Sequence, residues 1–225
     1  MVAQRLSIVV PALNEAQGIV ATLEALAPLR RRGHEVIVVD GGSSDATSKL
    51  AASLCDRLLV APRGRATQMN AGARAAGADA LLFLHADTFL PQGADTLVLD
   101  ALGRHPWGRF DVDIDDRHWL LKLTAWAMNV RSRLTGIATG DQAIFVRREA
   151  FAGFPEIALM EDIAFSKAMK RRGAPACLRA RVLTSARRWQ TRGMLRTILL
   201  MYRLRLLYFF GARPEELARR YADEA

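Results

Sequence analysis

Short apolar runs alternate with helix-length segments through the first hundred residues, and this alternation limits the fold more than any other feature of the chain. Residues 6–11 are rich in Val and Ile and read as a buried strand. Residues 17–29 carry Ile19, Leu23 and Leu26 at helical spacing. The pattern continues as a strand at 35–40 (EVIVVD) and a helix at 45–54 capped by Ser44 or Asp45. A strand at 57–61, a helix at 67–76 and a strand at 80–85 (ALLFLH) follow. Strands separated by single helices predict βαβ units and a parallel sheet. Ligands of such sheets bind beyond the carboxyl ends of the strands, which places Pro11, Asp40, Ala61 and His85 next to the expected site.

The alternation then breaks. Residues 107–115 (WGRFDVDID) alternate like a half-buried strand, and 118–133 read as a helix. A short strand is expected at 144–147, a helix at 162–172 and an edge strand at 182–184. Two terminal helices, 191–210 and 214–221, join at Gly211. No repeat, low-complexity tract or linker interrupts the 225 residues, which suit one domain.

Four polar segments fall at the predicted strand ends. Pro11-Ala12-Leu13-Asn14-Glu15 ends a strand and opens a helix. In Asp40-Gly41-Gly42-Ser43-Ser44-Asp45, the strand-end Asp can accept hydrogen bonds from a base or ribose, and the glycines allow close approach to the backbone. Gly64-Arg65-Ala66-Thr67-Gln68 brings an arginine to a helix entrance, a position suited to phosphate. His85-Ala86-Asp87 follows an apolar strand, and a carboxylate there can hold a divalent cation against a diphosphate.

In order and spacing these segments resemble family 2 glycosyltransferases, and within them a group of small bacterial transferases. The matching stretches are VVPALNEA, VVDGGSSDAT, GRATQMNAGA, LLFLHADT, TGDQAIFVRREAF, GFPEIALMEDIAFSKAMKRRG and SARRW, spread over residues 8–189. The resemblance implies an α/β GT-A fold, Rossmann-like, with a mostly parallel central sheet flanked by helices and further C-terminal helices. It implies a nucleotide-binding half at 1–105, an acceptor half at 106–189 and terminal helices at 190–225. It also implies a UDP- or GDP-sugar donor held with Mg2+ or Mn2+.

Carried over by residue, Pro11, Leu13, Asn14, Glu15, Asp40, Gly41, Gly42 and Ser43 would surround the nucleoside. Arg65 and Gln68 would lie near the base or phosphates. His85, Ala86 and Asp87 occupy the family's Asp-any-Asp metal motif, with His85 in place of the first Asp. Asp87 is the expected metal ligand, and His85 either joins it or contacts the nucleotide. Glu161 and Asp162 resemble the acidic pair near the acceptor. Asp162 is the expected base of an inverting transfer, Glu161 stands second, and Asp141 is a reserve base or donor-sugar contact. Ser185-Ala186-Arg187-Arg188-Trp189 partly matches a Gln-any-any-Arg-Trp motif without its Gln. Arg188 would reach the diphosphate and Trp189 would stack on an acceptor.

Other classes fit less well. A nucleotidyltransferase would carry a Gly-rich, Lys-containing N-terminal loop, but 11–18 holds one glycine and no basic residue. A dehydrogenase would show G-x-G-x-x-G after the first strand. A GT-A fold that only binds nucleotide or an anionic surface remains as the non-catalytic alternative, supported by His85.

Charge is uneven. Residues 166–225 carry 15 Lys+Arg against 4 Asp+Glu, whereas 1–165 carry 17 against 19, so the net +9 belongs to the C-terminal quarter. Such a bias suits an anionic partner, and with no nucleic-acid module apparent, nucleic acid is not expected. On the long terminal helix, Leu195, Ile198, Leu199, Tyr202, Leu206 and Phe209 share one face, and Arg192, Arg196 and Arg203 another. Its surplus apolar surface predicts a second partner: an anionic membrane carrying a lipid-linked acceptor, or a homodimer or doubly buried helix through 191–210. No 18-residue stretch is free of charge, and no signal-peptide pattern opens the chain. With two cysteines, Cys55 and Cys177, at no ligand spacing, the expectation is a cytoplasmic protein, peripheral at most on the inner face of the membrane.

Overall fold

The computed structural model describes residues 5–223, apart from the side chains of Arg188, Arg192 and Asp223. Its centre is an eight-stranded sheet. The first half follows the alternation: β1 (Leu6–Ala12), α1 (Ile19–Arg31), β2 (Glu35–Asp40), α2 (Thr47–Ala51), β3 (Arg57–Val60), α3 (Arg65–Ala75) and β4 (Ala80–Phe83). Then come β5 (Thr88–Phe89), α4 (Ala94–Leu102), β6 (Trp107–Asp115), α5 (Trp119–Thr135) and β7 (Phe145–Arg147). The chain ends with α6 (Glu161–Lys170), β8 (Ala176–Ser185), α7 (Arg187–Arg192), α8 (Met194–Phe209) and α9 (Pro214–Asp223).

The strand order is β3-β2-β1-β4-β7-β6-β8-β5. Strands β1 to β4 are mutually parallel, and β6 and β8 are parallel to each other. Strand β7 lies antiparallel to both β4 and β6, so β6 and β8 point the same way as β1 to β4. The carboxyl ends of β1, β4, β6 and β8 therefore open on one edge of the sheet.

Alternation along the buried strands builds a core on each face. Leu6, Ile8 and Val10 of β1 pack with Ile19, Leu23 and Leu26 of α1. Val9, pointing the other way, packs with Met69 and Ala73 of α3. Each large aliphatic side chain buried this way contributes roughly 1.5–3 kcal/mol. Helix α3 lies so close to β1 that a Cβ on Gly72 would come within 2.3 Å of Val9 Cγ1. A glycine is therefore required in GRATQMNAGA for helix–strand contact.

Three expectations change. The short edge strand at 182–184 is instead the ten-residue β8, seated between β6 and β5 with a bulge opposite Phe110 and Asp111. Strand β5 and helix α4 fill 88–102, where no element was predicted. The helix over 191–210 breaks at Gly193, whose φ of +83° ends α7 and starts α8.

Candidate functional site

Two loops lock together at the carboxyl ends of β1 and β2. Asn14 takes a left-handed φ of +54°. Its Oδ1 accepts the Ser44 N–H at 2.9 Å, and its own N–H donates to Ser43 Oγ at 2.9 Å. Asp40 is 4% exposed. It accepts the Ser43 N–H at 3.1 Å, the Ser48 hydroxyl at 2.8 Å and the Ser43 hydroxyl. Burial pushes the Asp40 carboxyl up, but these donors outweigh it and hold the group below the ordinary carboxylate range. Asp40, Gly41, Gly42, Ser43 and Asn14 thus form a braced rim and do not line the cleft beside them. Gln68 is likewise committed: its Nε2 donates to the carbonyls of Ala12 and Val39, both at 2.8 Å. A Cβ on Gly41 would come within 3.0 Å of that amide, so Gly41 clears space for Gln68.

The cleft itself measures about 550 Å3. Pro11, Leu13, Glu15, Arg65, Gln68, His85, Ala86 and Asp87 line it, together with Asp141, Glu161, Thr184, Ser185, Trp189 and Tyr221. It opens at the shared carboxyl edge of β1, β4, β6 and β8, where a parallel sheet offers its ligand site. Of the non-glycine residues of positive φ among the described residues, Asn14 and Met160 adjoin residues of this cleft and Ala143 lies two residues from Asp141. Such strained backbone persists where its surroundings over-determine it, commonly at functional sites.

His85 faces the turn at 140–142. Its Nδ1 lies 3.2 Å from Asp141 Oδ1. Its Nε2 is buried without a hydrogen-bond partner, against Gly140, where a Cβ would come within 2.5 Å. Asp87 is half-buried on the cleft wall, with Thr88 Oγ1 at 3.3 Å from its Oδ1. Among the described residues no three His, Cys, Asp or Glu side chains are grouped to hold an ion unaided. Magnesium needs no such cage, because it binds through one or two carboxylates together with substrate phosphates. Asp87 fits that donor set and His85 does not.

Arg187 was not singled out by the sequence, yet its Nη2 donates to Glu15 Oε2 at 2.5 Å. The Glu15 bond raises the Arg187 pKa against the effect of burial, and Asp87 adds to the rise. Trp189 lines the cleft and packs on the cluster of Ile114, Leu121, Ala125 and Ala186. The side chain of Arg188 lies outside the described residues. Helix α9, which carried no functional expectation, brings Ala218 and Tyr221 to the cleft.

The acidic residues separate by environment. Glu161 is 4% exposed and pairs with Arg65 Nη1 at 3.2 Å. Burial pushes its carboxyl above the ordinary range, opposed by Arg65 and assisted by Asp162. Asp162 makes no ion pair among the described residues; its Oδ2 accepts the Gly140 N–H at 3.0 Å and its Oδ1 the Ile163 N–H at 2.7 Å. It borders a small cavity that shares Arg65, His85 and Glu161 with the main cleft.

The sequence model for glycosyl transferase family 2 matches residues 7–160. The chain belongs to that family. A PGL/p-HBAD biosynthesis glycosyltransferase of Mycobacterium tuberculosis is 37% identical over 114 residues, 47% of this family 2 chain and 44% of the relative. A poly-beta-1,6-N-acetyl-D-glucosamine synthase of Staphylococcus aureus is 29% identical over 99 residues, 41% of the chain and 24% of the synthase. The matches therefore span less than half of either relative. Among solved structures, S. aureus TarS with UDP-GlcNAc superposes with a TM-score of 0.62 at 17% identity, covering 81% of this chain and 58% of TarS. Glucosyl-3-phosphoglycerate synthase of M. tuberculosis, with Mn2+, UDP and phosphoglyceric acid, gives 0.58 at 19%, covering 80% and 69%. These likenesses establish the GT-A fold for the family 2 chain.

Proposed function

We propose that this chain transfers a sugar from a UDP-sugar to an acceptor hydroxyl with inversion, assisted by Mg2+ or Mn2+. The observation that carries the reading is the gathering of Asp87, Arg65, Glu161, Asp141 and Trp189 around one cleft at the carboxyl edge of the sheet. Membership of a glycosyltransferase family and structural neighbours crystallised with UDP or UDP-sugars support it.

In this reading Asp87 holds the ion, which neutralises charge on the departing diphosphate. Arg65 and Arg187 add fixed positive charge nearby, each kept in place by a carboxylate partner. The acceptor oxygen attacks the anomeric carbon opposite the diphosphate, the bond to the diphosphate oxygen breaks, and a carboxylate takes the hydroxyl proton. We assign that proton to Asp162. Glu161 is tied to the permanent charge of Arg65 and Asp141 to His85, whereas among the described residues Asp162 is oriented by two backbone N–H groups. The carboxylate so fixed is pre-organised before substrate arrives. His85 serves as a positioning residue for Asp141.

Calorimetry of UDP and GDP with and without Mn2+, followed by a donor-hydrolysis assay, tests the reading. Mn2+-dependent UDP binding with slow release of UDP from a UDP-sugar is expected. Binding without any turnover, across donors and acceptors, would leave a nucleotide-binding protein and overturn the transferase.

A further inference from the structure

Helices α5 and α8 leave an unusual surface uncovered. On α8, Leu195, Leu199, Tyr202, Leu206 and Phe209 recur at intervals of four and three and are 51–76% exposed. The opposite side of α8, with Thr197, Leu200 and Leu204, is the side buried in the protein. On α5, Trp119, Leu123, Trp126 and Leu134 form a second exposed stripe, 48–82% accessible, behind which Leu121, Ala125 and Met128 are buried. The two helices pack against each other, with Arg131 of α5 beside Arg205 of α8. An exposed apolar area of this kind marks an interaction site.

Charge decides the partner. Neither helix contains an acidic residue; α8 carries Arg196, Arg203 and Arg205, and α5 carries Arg131, its Lys122 and Arg133 being paired with Asp113 and Asp111 of β6. At the junction the Nε and Nη2 of Arg131 are buried without hydrogen-bond partners, beside the like charge of Arg205. A two-fold dimer through this face would set these cations against their own copies, since an isologous contact pairs a patch with itself. A surface with negative headgroups over an apolar interior matches both the cations and the stripes, and tryptophans are favoured where the two meet.

We propose that α5 and α8 dock this protein on an anionic phospholipid surface, with headgroup phosphate taken up by Arg196 and Arg205 of α8. The proposal adds to the transferase reading and does not depend on it. Where both hold, acceptors carried by the membrane arrive beside Asp162, whose charge Arg131 also senses.

Flotation of the full chain with vesicles of phosphatidylcholine alone, or with one third phosphatidylglycerol, tests the surface, with UDP affinity measured on the same samples. Binding is expected on the anionic vesicles, falling steeply between low and high salt. The double variant Leu199→Glu/Leu206→Glu alters exposed positions only. It is expected to lose at least about tenfold in vesicle binding while keeping wild-type UDP affinity. Arg205→Glu is expected to weaken binding to anionic vesicles alone. Equal recovery on neutral and anionic vesicles, or wild-type flotation by the double variant, would overturn the proposal. So would a wild-type dimer by light scattering that the double variant converts to monomer. Loss of UDP binding with flotation intact would count against the transferase reading and leave the docking surface standing.

Discussion

His85 Nδ1 stands 3.2 Å from Asp141 Oδ1, so the residue in the place of the family's first motif carboxylate is tied to a second carboxylate of the cleft. The contact joins the end of β4 to the turn at 140–142, and Asp162 holds the same turn through the Gly140 N–H. One small turn thereby sets the relative positions of His85, Asp141 and Asp162.

Gly140 is expected to tolerate no side chain while His85 is present. A Cβ there would stand 2.5 Å from His85 Nε2, and overpacking of this kind costs about 1–3 kcal/mol. Gly140→Ala should lower the denaturation midpoint and transfer activity together. In a double-mutant cycle, His85→Ala should recover much of the stability but not the activity. Additive stability losses would show that the two residues do not share this space.

Asp87→Ala is expected to abolish detectable transfer and to remove the metal-dependent part of UDP affinity. Chelation of the wild-type protein should reproduce both effects, because one carboxylate together with the diphosphate makes up the ion's expected ligand set. Calorimetry of both proteins with Mn2+ or EDTA makes the comparison. Unchanged Mn2+ dependence in Asp87→Ala would move the ion elsewhere.

The parallel half of the fold was legible because its signals are local. EVIVVD and ALLFLH are apolar on both faces, as strands covered by helices on both sides must be. Strand β8 was largely hidden, since ACLRARVLTS is half-buried or exposed from Cys177 to Arg181, around its bulge, and mixes arginines with aliphatic residues. The motif positions did mark the cleft, but they did not divide contact from scaffold. Gln68 spends its amide on two strand-end carbonyls, and Asp40 spends its carboxylate on its own serines. Arg187 and Glu15, 172 residues apart, are joined by folding alone.

Strong acid should loosen the protein at Asp95 of α4. Its Oδ2 accepts Arg32 Nε at 2.8 Å and lies 2.9 Å from His34 Nε2. Burial pushes the carboxyl up, but the Arg32 and His34 bonds prevail and lower its pKa to about 2. A folded-state value below the unfolded value of about 3.9 gives stability that is complete above pH ~5 and lost as pH falls toward 2. With Arg32 half exposed and screened by solvent, the loss is about 1–2 kcal/mol. Urea midpoints at pH 7, 4 and 2.5 should show Asp95→Asn less stable than wild type at pH 7 and nearly equal to it at pH 2.5. A constant gap across that range would rule out the titration as its source.

The assignment of the base rests on a comparison of three carboxylates. Asp162→Asn should keep UDP affinity and reduce kcat by about two to four orders of magnitude, the usual contribution of a positioned general base. Its carbonyl oxygen can still accept the Gly140 N–H, while the NH2 group loses the Ile163 N–H that Oδ1 now accepts, so the turn should survive at a cost of about 1–2 kcal/mol. Glu161→Gln removes the buried partner of Arg65; donor affinity and stability should fall, with a smaller share of the loss in kcat. Asp141→Asn frees His85 Nδ1 from its charged partner and should reduce kcat by about tenfold or less, as expected for a lost positioning contact rather than a lost base. If Asp141→Asn shows the large kcat loss at unchanged UDP affinity while Asp162→Asn stays near wild type, the proton goes to Asp141, and Asp162 serves to hold the turn that carries it.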